Sequence, residues 1–255
     1  MGINLRTFSR SRAEPLSTNS PGSKAAASGG DGASGGIGGA FRALLEEEGA
    51  FDQVHGFARS FNGANHVDLL DEASIAAAAA QIASGPAPTL VLVATGLLHE
   101  GDHGPEKALR ELDPQWLARS YAVNAIGPML VAKHVLPLMP RTGRTVFAAL
   151  SARVGSISDN RLGGWHGYRA SKAALNMMMR NVAIEEKRRN DRSIVVTLHP
   201  GTVDTGLSRP FQANVPDGRL FDPERAAMQL LDVVEGLKAA DSGKLFDYQG
   251  EEIPF

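Results

Sequence analysis

Tyr168 and Lys172 stand four residues apart in Tyr168-Arg169-Ala170-Ser171-Lys172. On a helix that spacing puts both side chains on one face. A phenol ionises near pH 10, so to act as a base at neutral pH it needs about 4 kcal/mol of help. An ammonium about 4 Å away, at an effective dielectric near 20, supplies roughly that much. The pair is therefore sufficient for moving a proton to or from an oxygen, although a chance surface pair has the same spacing. A second segment with chemical potential is Gly30-Asp31-Gly32-Ala33-Ser34-Gly35-Gly36-Ile37-Gly38. Glycines let a backbone approach a pyrophosphate closely, and a following helix offers free N–H groups and a partial positive charge. The segment reads both as Gly30-x-Gly32-x-x-Gly35 and as Gly32-x-x-x-Gly36-x-Gly38, and a flexible linker reads the same way. Its Gly32-x-Ser34-x-Gly36 also spells a hydrolase nucleophile elbow, with Ser34 as the nucleophile. His99-Glu100-Gly101-Asp102-His103 spells the H-E-x-x-H of zinc proteases. That motif needs a helix, whereas Gly101 and Gly104-Pro105 favour a loop, so no metal site is expected.

Elements able to position these residues follow along the chain. Residues 1–24 carry Arg6, Arg10 and Arg12 among Ser, Thr, Pro and Asn. Such a segment buries too little apolar surface to offset its ordering entropy, so a tail outside the fold is expected, with an organelle transit peptide as the sharper alternative. Residues 25–255 then form one domain. Strands are predicted over 53–58, 66–69, 89–95, 145–151, 193–198 and 244–247. Helices are predicted over 39–48, 72–83, 114–139, 168–189 and 223–237. Strands separated by helices imply parallel pairing with helices on both faces, a doubly wound α/β sheet of Rossmann type. The ligand crevice of such a sheet lies at the carboxyl ends of its strands.

The formal net charge of −2 gives no basic surplus for nucleic acid or an anionic membrane. The chain has no cysteine, which excludes disulfides, thiol catalysis and thiolate metal sites, and favours a reducing compartment. No run approaches the ~18 apolar residues of a membrane span, so a cytoplasmic protein is expected.

Taken in order, Gly32-x-x-x-Gly36-x-Gly38, Asn124-Ala125-Ile126-Gly127, Tyr168-Arg169-Ala170-Ser171-Lys172 and Pro200-Gly201-Thr202-Val203-Asp204-Thr205 resemble the short-chain dehydrogenase/reductase family. The resemblance runs from about Gly32 to Phe255. Arg153-Val154-Gly155-Ser156-Ile157 and the ending Gly250-Glu251-Glu252-Ile253-Pro254-Phe255 look like its subgroup of C-factor and sniffer-type carbonyl reductases. The resemblance implies a NAD(P)-dependent oxidoreductase of carbonyls and alcohols. Tyr168 would be the acid/base, Lys172 its activator and a ribose ligand, and Asn124 the holder of a relay water. Gly32, Ser34, Gly36, Ile37 and Gly38 would cradle the pyrophosphate. Asp68 would meet the adenine, Gly96 would face the cofactor, and Pro200, Val203 and Thr205 would hold the carboxamide. Arg59 ends the second strand, where an arginine suits the 2′-phosphate of NADP and an acid would suit NAD, so NADP is expected, with NAD possible. Gly206 to Phe221 would form a substrate loop, with Leu207, Phe211 and Val215 as an apolar wall for a small carbonyl or alcohol. A homodimer or homotetramer is expected through the helices around Asn124 and Tyr168.

The chain departs from the family pattern in four places. The segment before the glycine loop, Ala25 to Asp31, is a poor strand. The expected Ser-Ser reads Ser151-Ala152, which leaves Ser151 as the candidate hydroxyl while strict register points to Ala152. Val93-Ala94-Thr95-Gly96 replaces Asn-Asn-Ala-Gly. His166 stands where tyrosine is frequent. These changes motivate an alternative, a non-catalytic dinucleotide-binding or signalling relative.

Overall fold

The computed structural model describes residues 5–9 and 36–255. Its strands are β1 (Leu5–Ser9), β2 (Gln53–Phe57), β3 (Leu90–Val93), β4 (Thr145–Leu150), β5 (Ser193–His199), β6 (Thr202–Val203), β7 (Leu220–Phe221), β8 (Leu245–Asp247) and β9 (Glu252–Ile253). Its helices are α1 (Gly36–Glu48), α2 (Glu72–Ala83), α3 (Pro114–Tyr121), α4 (Gly127–Val135), α5 (His166–Arg189) and α6 (Pro223–Gly236). Seven strands make one sheet in the order β2-β1-β3-β4-β5-β8-β9. Strands β3, β4, β5 and β8 are parallel, and β9 folds back antiparallel to close the edge.

The apolar runs of the central strands reflect burial on both faces. In β3, Val91 and Val93 face one cluster with Phe147, Val195 and the inner sides of α2, α4 and α5. Leu90 and Leu92 face the other, with Val146, Val196 and the inner sides of α1 and α6. Alternation along one strand therefore supplies both layers of the doubly wound fold.

Three expectations change. Leu5–Ser9 falls within the segment expected to be a tail, yet it holds the slot between β2 and β3, antiparallel to both. An open ladder there would leave backbone groups unpaired, and Leu-Arg-Thr-Phe-Ser includes the strand formers Thr and Phe. The weak strand expected at 25–31 lies outside the described residues. The strand expected at 66–69 is reduced to a single bridge between Ala58 and His66. Side chains take over its backbone bonds: Asp68 N donates to Ser74 Oγ, and Leu70 N donates to Asp68 Oδ1. The helix expected over 114–139 divides into α3, a π turn at Ala122–Ile126, α4 and a short 3₁₀ turn at Leu136–Leu138. Pro128 has no N–H to give to the carbonyl of Asn124, four residues earlier, so the regular ladder breaks at that point.

Candidate active site

Helix α5 carries Tyr168 and Lys172 on its inner face, both buried. Lys172 Nζ donates to Leu150 O at the carboxyl end of β4 (2.8 Å) and to Thr95 O just beyond β3 (3.4 Å). It lies 5.9 Å from the centre of the Tyr168 ring. Burial pushes the Lys172 ammonium down to about 7 and pushes the Tyr168 phenol well above its ordinary value. The two shifts oppose proton transfer. Both shifts have one cause, desolvation of the charged form.

The π turn places Asn124 beneath this pair, fully buried. Its side chain and the Leu97 backbone bond reciprocally: Asn124 Nδ2 donates to Leu97 O (2.8 Å) and Leu97 N donates to Asn124 Oδ1 (2.7 Å). Asn124 Nδ2 also reaches Ser171 Oγ (3.0 Å), and Ser171 Oγ donates to Tyr168 O (2.9 Å). The amide thus ties the loop after β3 to the first turn of α5. Pro128 withholds the i+4 N–H from the Asn124 carbonyl, while the side-chain amide is committed to Leu97, Ser120 and Ser171. Ser171 and Ser120 complete this buried network; the serine between Tyr168 and Lys172 is visible in the sequence, but its partners are not.

Ser151 is placed differently from the expected hydroxyl donor. Its Oγ donates to Asn176 Oδ1 inside the protein (2.8 Å). Ala152 instead packs in the cluster of Tyr168 and Leu98, with Leu207, Phe211, Val154 and Trp165 against it. A methyl group, rather than the Ser151 hydroxyl, therefore packs in the cluster of Tyr168. Leu207 and Phe211, two of the three residues expected in an apolar wall, pack against Leu98 and Tyr168, while Val215 is not among the residues packed there. Trp165, at the start of α5, was not anticipated: its ring meets Phe211 at 5.3 Å and Tyr168 at 6.3 Å.

Of the residues expected to bind a cofactor, Gly32 and Ser34 lie outside the described residues. Gly36 opens α1 at φ +42°, and a Cβ there would sit 3.5 Å from Thr205 Cγ2. The start of α1 and the Pro200–Thr205 loop therefore lie side by side at van der Waals distance. Ile37 packs on the cluster of Val203 and Phe221, and Gly38 is buried. A Cβ on Gly96 would come within 3.9 Å of both Asn124 Oδ1 and Lys172 Nζ. The buried hydroxyl of Thr95 has no partner. Arg59 follows the end of β2, and Asp68 follows the bridge at Ala58 and His66. His99 and His103 do not share a helix: His99 Nε2 bonds Gly206 O (2.9 Å), and His103 stacks on Trp116.

Fold and site together define an α/β protein of Rossmann type built around a buried tyrosine–lysine pair. A family model described as enoyl-(acyl carrier protein) reductase matches residues 34–230. The C-signal of Myxococcus xanthus is 35% identical over 177 residues, covering 69% of this chain and 98% of that protein. The 1-hydroxy-2-glutathionyl-2-methyl-3-butene dehydrogenase of Rhodococcus sp. (strain AD45) is 30% identical over 179 residues, covering 70% and 74%. The NADPH-bound carbonyl reductase from chicken fatty liver superposes with a TM-score of 0.64 at 25% identity, over 74% of this chain and 75% of that one. The chain belongs to the short-chain dehydrogenase/reductase family, whose carbonyl reductases it resembles.

Proposed function

We propose that the protein is an NADP-dependent oxidoreductase that interconverts a small carbonyl compound and its alcohol, with Tyr168 as acid/base and Lys172 as its activator. The carrying observation is the burial of both side chains on one face of α5, with Lys172 Nζ fixed by Leu150 O at the carboxyl ends of the strands. The start of α1 beside Thr205, the absence of a side chain at Gly96 next to Lys172 Nζ, and the unpartnered Thr95 hydroxyl support a dinucleotide along this side of the sheet. Arg59 is the residue for a 2′-phosphate and Asp68 for the adenine. Pro200, Val203 and Thr205 line the side for the carboxamide. Bound NADPH supplies the hydride, and the chain supplies geometry and the proton. Tyr168 Oη gives its proton to the carbonyl oxygen, or takes one from the alcohol in reverse. Ribose hydroxyls of the cofactor would accept from Lys172 Nζ as Leu150 O does, which favours its charged form, and that charge lowers the cost of phenolate. Asn124 and Ser171 hold the first turn of α5 in register while the proton moves. The decisive experiment is titration with NADPH and NADH, followed by a panel of carbonyls with Tyr168→Phe as control. Micromolar NADPH binding with turnover abolished by the substitution supports the proposal.

A second reading has an observation behind it. With Ala152 beside Tyr168 and an antiparallel β1 ahead of the glycine loop, the chain can also be a dinucleotide-binding relative without turnover. Cofactor binding with no NADPH oxidation across the panel selects this reading.

A further inference from the structure

Glu106 is a buried carboxylate that the proposed chemistry does not use. It comes from the segment between β3 and α3 and ends against the start of α5. Its Oε2 accepts from Gly167 N (3.0 Å), and its backbone O accepts from Trp165 N (2.5 Å). Its Oε1 has no partner. Helix α5 runs 24 residues, yet its N-cap residue is Trp165, whose indole supplies no cap bond. A helix start needs an acceptor for its free N–H groups and favours a negative charge. Glu106 provides both from a distant part of the chain. The fit is close: a Cβ at position 167 would come 2.8 Å from Glu106 Oε1 and 3.0 Å from Leu117 Cδ2, so only glycine admits the carboxylate.

The clamp also holds an unfavourable backbone. Gly163, Gly164 and Trp165 follow one another in the left-handed region, at φ +64°, +63° and +50°. Trp165 is the only non-glycine residue at positive φ among the described residues. A bulky residue stays there only when its surroundings fix it. The bond from Trp165 N to the backbone O of Glu106, which any residue at 106 would keep, does so together with the carboxylate's hold on Gly167 N two residues on, and Arg169 Nε adds a bond to Gly164 O (3.1 Å). The result is an indole laid against Phe211 and Tyr168, with Tyr168 one residue past the clamped N–H of Gly167.

We infer that Glu106 is a positioning residue: by capping α5 in place of Trp165, it holds the Trp165 ring and sets the placement of Tyr168. The inference about turnover rests on the reading of Tyr168 as acid/base; the inference about Trp165 does not. A displacement of about 1 Å at a reacting group costs on the order of 10²-fold in rate.

The test compares Glu106→Ala, Glu106→Gln and Glu106→Asp. The chain has two tryptophans, so a Trp116→Phe background leaves Trp165 as the one indole emitter. Glu106→Ala is expected to lower kcat by about 10²-fold while the Kd for NADPH changes less than about twofold, and to shift Trp165 emission. Glu106→Gln keeps an acceptor of the same reach and is expected to restore most of kcat and the wild-type emission. Glu106→Asp keeps the charge, draws the carboxylate back by one methylene and is expected to fall between. If Glu106→Ala does not fold, the Gln and Asp variants carry the comparison, and kcat equal to wild type in Asp overturns the inference. Lower thermal stability with unchanged kcat and unchanged emission would make Glu106 a cap of the fold alone, and also overturns it. If the wild type binds NADPH but turns over no carbonyl, the catalytic reading has failed. Emission then decides the clamp: a shift in Glu106→Ala supports it, and no shift overturns it.

Discussion

Ala152 presents a methyl group where the chemistry proposed for Tyr168 would gain from a hydroxyl. The neighbouring hydroxyl, Ser151, is committed to Asn176 in the interior. Two substitutions separate these roles. Ala152→Ser adds a donor toward the developing oxyanion, and a donor of that kind is worth about 10²–10³ in kcat. A hydroxyl introduced without its own aligning partners captures less, so a gain of about tenfold or more is expected in steady-state NADPH oxidation. Ser151→Ala leaves Asn176 Oδ1 buried without its donor and is expected to cost about 1–3 kcal/mol in denaturant unfolding, with kcat nearly unchanged. A fall in kcat for Ser151→Ala, with no gain for Ala152→Ser, would restore Ser151 as the working hydroxyl.

Among the elements, α4 and the segment from His66 to Leu69 meet with little tolerance. A Cβ on Gly127 would lie 2.7 Å from Leu69 Cβ and 2.8 Å from Leu69 Cδ1. Leu69 is almost fully buried and has no room to withdraw. Gly127→Ala is therefore expected to destabilise the protein by about 1–3 kcal/mol despite alanine's better helix propensity, seen as a lower denaturation midpoint at unchanged m-value. A stabilised variant would show that α4 can slide on its neighbour. The sequence makes α4 legible as a helix, because its apolar periodicity is clear. It hides the contact, because that contact depends on a loop held by Asp68 and Ser74 rather than by strand pairing. The same division holds elsewhere. Helices α2 and α5 and strands β3 to β5 follow from periodicity and apolar runs, and the Tyr168–Lys172 pair follows from spacing on α5. The strand at Leu5–Ser9 does not, since five residues of mixed character carry too weak a pattern and the slot they fill is created by β2 and β3. Glu106 is likewise invisible: in the sequence it is an ordinary acid in a loop, and its meaning arises where that loop crosses the start of α5. Asn124 is intermediate, because Pro128 four residues later announces a broken helix but not what the amide binds.

At the scale of the molecule, the helices that carry the site leave three large apolar side chains exposed. Met177 is 63% exposed, Ile184 47% and Ile126 46%. Met177 and Ile184 are seven residues apart on α5, and so on one face. These positions fit the expected pairing of two copies through the helices around Asn124 and Tyr168. Ile184→Glu together with Met177→Glu is expected to yield monomers in sedimentation velocity where the wild type sediments as a dimer or larger; a wild-type monomer rules the surface out.

The dependence of stability on pH belongs to the whole molecule as well. Burial and the neighbouring Arg153 push His199 down to about 4, while Asp247 beside it acts in the opposite sense. Arg219 and Glu251 line the same small cavity. Between about pH 6.5 and 4, the unfolded chain binds a proton at this histidine and the folded one does not. Its contribution is therefore complete above about pH 6.5 and is lost as pH falls toward 4. Lys172 adds the same sign at higher pH. Its folded value near 7, against 10.5 unfolded, makes stability rise across that interval. Tyr168, raised by burial, reverses the trend above about pH 10, where the unfolded phenol ionises and the folded one does not. Unfolding free energies are expected to fall by about 3 kcal/mol between pH 6.5 and 4 through His199 alone. His199→Gln keeps a neutral polar group and should flatten that limb while leaving the rise above pH 7 in place; Lys172→Met should do the reverse. If neither limb responds to its own substitution, the pH dependence arises from the exposed carboxylates, and the burial of these two groups is not what sets it.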